Sequence, residues 1–174
     1  YPFLTITAWL TDRPLFEGRM LEMLRNEVRY TDAGGGRIPG NLRLDTHELG
    51  PPSFFGAGEY CKDGMIPITE LLGRGPWYYR MLDMMREFAR RAPVKTRWGN
   101  LPDTGAELNG DVLQVLARLI PMTGDRELLA WAEQISDAYI HEILPANSYL
   151  PGYRYDFEKK TDTDRKSTRL NSSH

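Results

Sequence analysis

Two pairs of carboxylates stand four residues apart in this chain, Glu59 with Asp63 and Glu107 with Asp111. On a helix that spacing puts both members of a pair on one face, with Cβ atoms about 5–6 Å apart, where like charges repel unless something uses them. Neighbouring helix axes lie about 8–10 Å apart. Carboxylates on two adjacent helices therefore reach the separations of about 5–9.5 Å at which one acid protonates a glycosidic oxygen and another acts as nucleophile or base. The competing structural reading is that a first helical turn attracts acids through the macrodipole, and that Glu107 simply caps. Flat rings stack on sugar faces, and a guanidinium grips a uronic acid carboxylate bidentately. Tyr60, Trp98, Tyr153, Arg97 and Arg154 are the candidate ligand-holding residues on that ground. Phe54, Phe55, Tyr149 and Tyr155 also fall at loop positions, where aromatic rings commonly pin a loop to the core.

Other chemistries find less support. Asp45-Thr46-His47-Glu48 offers one histidine with no second histidine nearby, which is thin for a metal, and none is expected. Gly34-Gly35-Gly36 lacks the Lys-Ser/Thr of a phosphate loop, and Gly56-Ala57-Gly58 has Cys61 where a dinucleotide fingerprint needs glycine. Ser53 sits in no nucleophile elbow. No cofactor is expected.

The elements that must position these groups are helices. From Thr104 to Ile135 the chain reads as a complete helical hairpin. Leu108, Val112, Val115, Leu116 and Leu119 fall at helical spacing, with Glu107, Asp111, Gln114 and Arg118 as a separate polar stripe. Thr104 and Glu107 have capping-box spacing. Gly124 then breaks the helix and Asp125 is positioned to cap a second one, which carries Leu128, Leu129, Ala132 and Ile135 and runs to about Leu144. Helices joined by so short a turn pack antiparallel.

Two further hairpins precede it. A helix fragment over Tyr1–Leu10 leads through Thr11-Asp12-Arg13-Pro14 into a helix reaching about Arg29, with proline tolerated in the first turn. A helix from about Ala57 to Leu72, which Gly64 and Pro67 distort or shorten, turns at Gly73-Arg74-Gly75-Pro76 into a helix begun by Trp77. Long loops separate the hairpins: Thr31 to about Gly56, Ala92–Asp103, and Pro145 to about Thr163. Arg19-Met20-Leu21-Glu22-Met23-Leu24 returns as Arg80-Met81-Leu82-Asp83-Met84-Met85, and Glu59-Tyr60-Cys61-Lys62-Asp63-Gly64 echoes the segment around Glu107–Asp111. Helix pairs repeated in this way stack, since one hairpin cannot bury its apolar face alone. Stacked in one sense, they gather the long loops and the acidic first turns at a common end, where function concentrates.

The 174 residues, 41% hydrophobic and 26% charged, suit one globular domain, and the net charge of −2 gives no reason to expect nucleic acid. No apolar run approaches the roughly 20 residues that span a bilayer. The single cysteine, Cys61, excludes an internal disulfide. Tyr1 opens the chain as the interior of a helix, and Asp164–His174 reads as the in-frame translation of a sequencing-library adapter, so residues 164–174 are expected to be non-native and residues 1–163 to form the domain.

Segments such as GAELNGDVLQVLARLIPMTGDRELLAWAEQISDAYIHEILP and EYCKDGMIPITELLGRGPW resemble the six-hairpin glycosidase superfamily, in particular its uncharacterised bacterial members. The likeness covers about Tyr1–Phe157 and is architectural; no catalytic motif of a characterised family maps onto these positions. It implies an all-α fold, an (α/α)6 barrel with an inner helical ring around a carbohydrate cleft, of which three hairpins make about half. The other half of the domain would then be missing. It implies a glycoside hydrolase or polysaccharide lyase acting on an oligosaccharide or polysaccharide, and leans towards an extracytoplasmic setting. The alternative is a non-catalytic α-helical repeat module that binds a protein or glycan partner.

Overall fold

The computed structural model describes residues 7, 10–33, 38, 40–51, 53–146 and 154–162, and these are mostly helical. The chain divides into two compact units, Tyr1–Phe88 and Ala89–His174.

In the first unit, α1 spans Arg13–Ala33. The Asp12 carboxylate accepts from the Leu15 amide at 3.2 Å, and Pro14 occupies the first turn, where its missing donor is harmless. The helix fragment expected over residues 1–10 lies outside the described residues except at Thr7 and Leu10. The stretch after α1, expected to be an irregular loop, contains an antiparallel backbone ribbon. The Ser53 amide donates to the Ile38 carbonyl at 2.6 Å, Gly40 to Pro51 at 2.7 Å, Gly50 to Asn41 at 2.9 Å and Arg43 to Glu48 at 3.0 Å, around a Leu42–Leu49 bridge. Backbone pairing needs no apolar alternation, and Gly and Pro hide it from a pattern search. Gly50 lies close to the Asn41 side chain, and a Cβ there would sit 1.8 Å from Asn41 Oδ1, so any larger residue would require the Asn41 carboxamide to move.

The next helix begins three residues earlier than expected. It comprises α2 (Phe54–Glu59), a π-helical turn (Tyr60–Met65) and α3 (Ile66–Leu72). Ser53 caps it, its Oγ accepting from the Gly56 amide at 3.0 Å. The anticipated distortion is the π turn, in which the Ile66 amide reaches the Cys61 carbonyl. Pro67 has no amide to return to the preceding turn, and the wider turn just before it absorbs the mismatch. Gly73, at φ 80°, closes the helix and Pro76 opens α4 (Pro76–Arg91). Phe54 meets Phe88 edge-on at 4.9 Å, so the start of α2 lies against the end of α4, as in an antiparallel hairpin. The repeated hexapeptide proves to be a burial pattern: Met20, Met81 and Met85 are fully buried and Leu24 nearly so.

In the second unit, β1 (Val94–Thr96) and β2 (Gly99–Leu101) pair across the two-residue turn Arg97-Trp98. They are followed by α5 (Ala106–Thr123), α6 (Arg126–Ala138), a second π turn (Tyr139–Ile143), and β3 (Tyr155–Asp156) paired with β4 (Thr161–Asp162). Both loops expected here thus carry small hairpins. The turn between α5 and α6 is as expected. Gly124 takes the left-handed conformation, φ 65°, and the Asp125 carboxylate accepts from the Glu127 and Leu128 amides at 2.9 and 3.1 Å.

Two expectations fail at the start of α5. The N-cap is Gly105 with no side-chain cap, so Thr104 and Glu107 form no capping box. Instead Thr104 presents its carbonyl to the Tyr155 amide at 2.9 Å and its hydroxyl to Arg154 at 3.4 Å. Asp111 does not belong to a solvated stripe: it is 8% exposed, beside fully buried Asn109 and Val112. The first turns of α5 are enclosed on more than one side, so hydrophobic periodicity misassigns its faces there. Further along, Val115, Leu116 and Leu119 on α5 and Leu128, Trp131 and Ile135 on α6 form the buried stripes of the hairpin. Among the described residues no helix is long and apolar enough to cross a membrane.

Candidate functional site

The side chains with most chemical content in the second unit converge where α5 begins and α6 ends. The β1–β2 turn is fixed from below. Thr96 Oγ1 donates to the Gly99 carbonyl at 2.8 Å and accepts from the Trp98 amide at 3.1 Å, while Trp131 Nε1 donates to the Asn100 carbonyl at 2.7 Å. Gly99 takes φ 134°, a conformation that strains any residue with a Cβ, and it lies against the Gln134 side chain of α6, whose Oε1 would be 2.2 Å from such a Cβ. Opposite it, the π turn after α6 closes through the Leu144 amide onto the Tyr139 carbonyl at 2.9 Å and carries His141 and Glu142.

Glu142 is the centre of this group. Its side chain is 6% exposed and accepts from Arg97 Nε at 3.1 Å, Trp98 Nε1 at 2.9 Å and, more loosely, the Tyr155 hydroxyl at 3.4 Å. The Trp98 ring also stacks on His141, with centroids 5.1 Å apart, and lies 4.8 Å from the Arg97 guanidinium carbon. Burial, and then the neighbouring Glu142 charge, push the Tyr155 phenol above its ordinary range. A cleft of about 300 Å³ opens beside this group, lined among others by Lys95, Arg97, Glu142, Phe157 and Lys160. Arg97 uses Nε for Glu142, and among the described residues its terminal nitrogens are left for a ligand.

The start of α5 is held by a buried amide. Asn109 Nδ2 donates to the carbonyls of Asp103 at 2.8 Å and Gly105 at 2.7 Å, and its Oδ1 accepts from the Asp103 amide at 3.2 Å. The Tyr139 hydroxyl donates to the same Gly105 carbonyl at 2.8 Å, joining the end of α6 to the start of α5. Arg154, at the edge of β3, pairs with Asp103.

Of the residues singled out from sequence, Arg97, Trp98 and Arg154 therefore belong to the loop end of this one hairpin, with Glu107 exposed on the first turn of α5 and Asp111 buried one turn on. In the first unit Glu59 and Asp63 are both exposed, and Asp63 lies 3.5 Å from Lys62 Nζ. Tyr60 opens the π turn and lines a separate cleft of that unit. Tyr149 and Tyr153 lie outside the described residues. Phe54 is a core contact of Phe88.

Sequence reasoning missed Glu142, and it left a signal. Leu128, Trp131, Ile135, Ala138 and Glu142 follow one another at spacings of three and four, so a carboxylate stands on the apolar stripe of its own helix. His141, beside it, has an exposed side chain that serves as a stacking partner for Trp98.

No family model matches the chain, and no curated protein or solved structure is significantly similar to it. The likeness to six-hairpin glycosidases rests on the quoted segments alone.

Proposed function

We propose that the chain is part of a carbohydrate-active enzyme that cleaves glycosidic bonds, built as about half of an (α/α)6 barrel. Sugar would bind at the loop end of the α5–α6 hairpin. The observation that supports this reading is the placement, at one end of one hairpin, of an exposed carboxylate (Glu107), a cleft lined by Lys95, Arg97, Phe157, Glu158 and Lys160, and a buried carboxylate (Glu142) holding both Arg97 and the neighbouring Trp98. In this proposal Glu107 is the first choice for general acid because solvent and ligand can reach it. Asp111, Glu59 and Asp63 are the remaining acid/base candidates, and Glu142 positions Arg97 and Trp98.

A second reading, a non-catalytic module that binds an acidic glycan, is favoured by the cationic side of the cleft, where Lys95, Arg97 and Lys160 line one space. The two readings separate in one experiment. Reducing-end release is measured from a panel of neutral and uronic acid oligosaccharides, with binding followed in parallel. As an enzyme, Glu107→Gln should lower kcat by about 10²-fold or more without moving the unfolding midpoint. Saturable binding without cleavage, weakened by Arg97→Ala, leaves the module. Neither binding nor cleavage across the panel removes carbohydrate from the account.

A further inference from the structure

Independently of that reading, we propose that the first unit holds a binding site for a small neutral ring bearing a single hydroxyl, of the phenol class. The site is a cleft of about 310 Å³ between the last turns of α1, the backbone ribbon and the start of the α2 helix, lined by Glu27, Tyr30, Thr31, Leu42, Leu49 and Tyr60 among others. Its volume equals about ten waters, enough for one ring. At its lip the helix takes a π turn at Tyr60, a distortion frequent at functional sites.

Chemistry selects the ligand. The walls are mainly aliphatic and aromatic, with Asn41 and Thr31 as the uncharged polar side chains besides the tyrosine hydroxyls, and the charged group among the residues lining the cleft, Glu27, is already neutralised. Glu27 Oε2 accepts from Arg80 Nε at 2.9 Å, and Oε1 accepts from Arg80 Nη2 at 2.8 Å and from the Thr31 hydroxyl. An ionic ligand would lose its hydration there and find no uncompensated countercharge. A polyhydroxylated ligand would bury more hydroxyls than these walls can satisfy. A carboxylate offers about four acceptor positions, and three on Glu27 are taken among the described residues. The fourth, on Oε2, suits one ligand hydroxyl. The Glu27 side chain is about 10% exposed, so that acceptor is fixed before any ligand arrives.

The test is a titration of the isotope-labelled whole protein, read by amide chemical shifts and by intermolecular Overhauser contacts, with phenol, benzoate and glucose as probes. Phenol should give saturable shifts at Tyr30, Leu42, Leu49 and Gly56 and contacts to the Leu42 and Leu49 methyls, with a dissociation constant on the order of 1 mM. Benzoate should bind at least tenfold more weakly, and glucose should give no saturable shift. Leu49→Trp, which fills the cleft, should abolish the phenol response while the remaining amide dispersion is kept. If that variant does not fold, the methyl contacts in the unsubstituted protein decide alone. Phenol shifts confined elsewhere, no response up to its solubility, or glucose or benzoate binding as tightly as phenol would each overturn the proposal. Failure here leaves the glycosidic reading untouched, because that reading concerns the other unit and a different ligand.

Discussion

The most tightly specified polar residue in the second unit is Asn109. It is fully buried, and its amide is satisfied on both sides by Asp103, Gly105 and the Tyr139 hydroxyl, the last at 3.2 Å. Leaving any of these groups without a partner would cost about 1–3 kcal/mol, which is why the network reads as a clasp on the start of α5. Tyr139 gives it a pH signature. Burial pushes the phenol up to about 12, against a smaller opposing effect of the Asn109 hydrogen bond. The neutral form is therefore favoured in the folded state. The stability this confers is fully present below the ordinary tyrosine value near 10 and is lost as pH rises to about 12. Urea unfolding at pH 8 and at pH 11 should show the parent protein losing stability between the two. Tyr139→Phe should start about 1 kcal/mol lower at pH 8, for the lost bond to Gly105, and should lose less over the interval. Equal losses in both proteins would mean that Tyr139 titrates in the native state as it does in the unfolded chain.

At the scale of elements, the α5–α6 hairpin is specified locally. The Asp125 carboxylate holds two first-turn amides of α6, so Asp125→Ala should destabilise the protein by about 1 kcal/mol, and Asp125→Ser should recover most of that in a thermal melt. Gly124 is held at positive φ with open space around it, so Gly124→Ala should cost a similar amount through backbone strain alone. Local specification of this kind is what made the hairpin, its turn and its cap legible in the sequence. The same reasoning failed at Thr104, whose carbonyl is taken by the Tyr155 amide of β3 and whose hydroxyl, which a capping box would use, accepts instead from Arg154 just before that strand. It failed at Asp111 because enclosure by distant segments overrides the periodicity of one helix. The β1–β2 pair and the ribbon from Ile38 to Ser53 were read as loops because their pairing is carried by backbone groups in short, polar or glycine-rich stretches. In the candidate site, Arg97, Trp98 and Arg154 could be named from residue type, but Glu142 and Asp103, which hold them, lie 45 and 51 residues away from Arg97 and Arg154 respectively and only the fold brings them together.

At the scale of the molecule, one atom reports on the integrity of the whole first unit. Cys61 is the single cysteine of the chain, fully buried, and its thiol is pushed far up by burial and then by the Glu27 charge, which Arg80 only partly offsets. The reactive species is the thiolate, and neither reagent nor base reaches it in the closed state. Reaction must wait for an opening that exposes the core around α1, the π turn and α4. With a domain stability of about 5–15 kcal/mol, labelling of the native protein by a disulfide reagent at pH 8 should be slower than that of the urea-unfolded chain by about 10³-fold or more. Met81 is fully buried on α4 in the same unit, and truncating it should cost about 2–5 kcal/mol. If labelling follows global opening, Met81→Ala should therefore accelerate it roughly thirtyfold or more, in step with its measured loss of stability. A native rate equal to that of the unfolded chain would mean that the sulfur is not enclosed. An unchanged rate in a destabilised Met81→Ala protein would place the opening in a local segment instead, and the π turn that begins one residue before Cys61 is where the helical ladder is already interrupted.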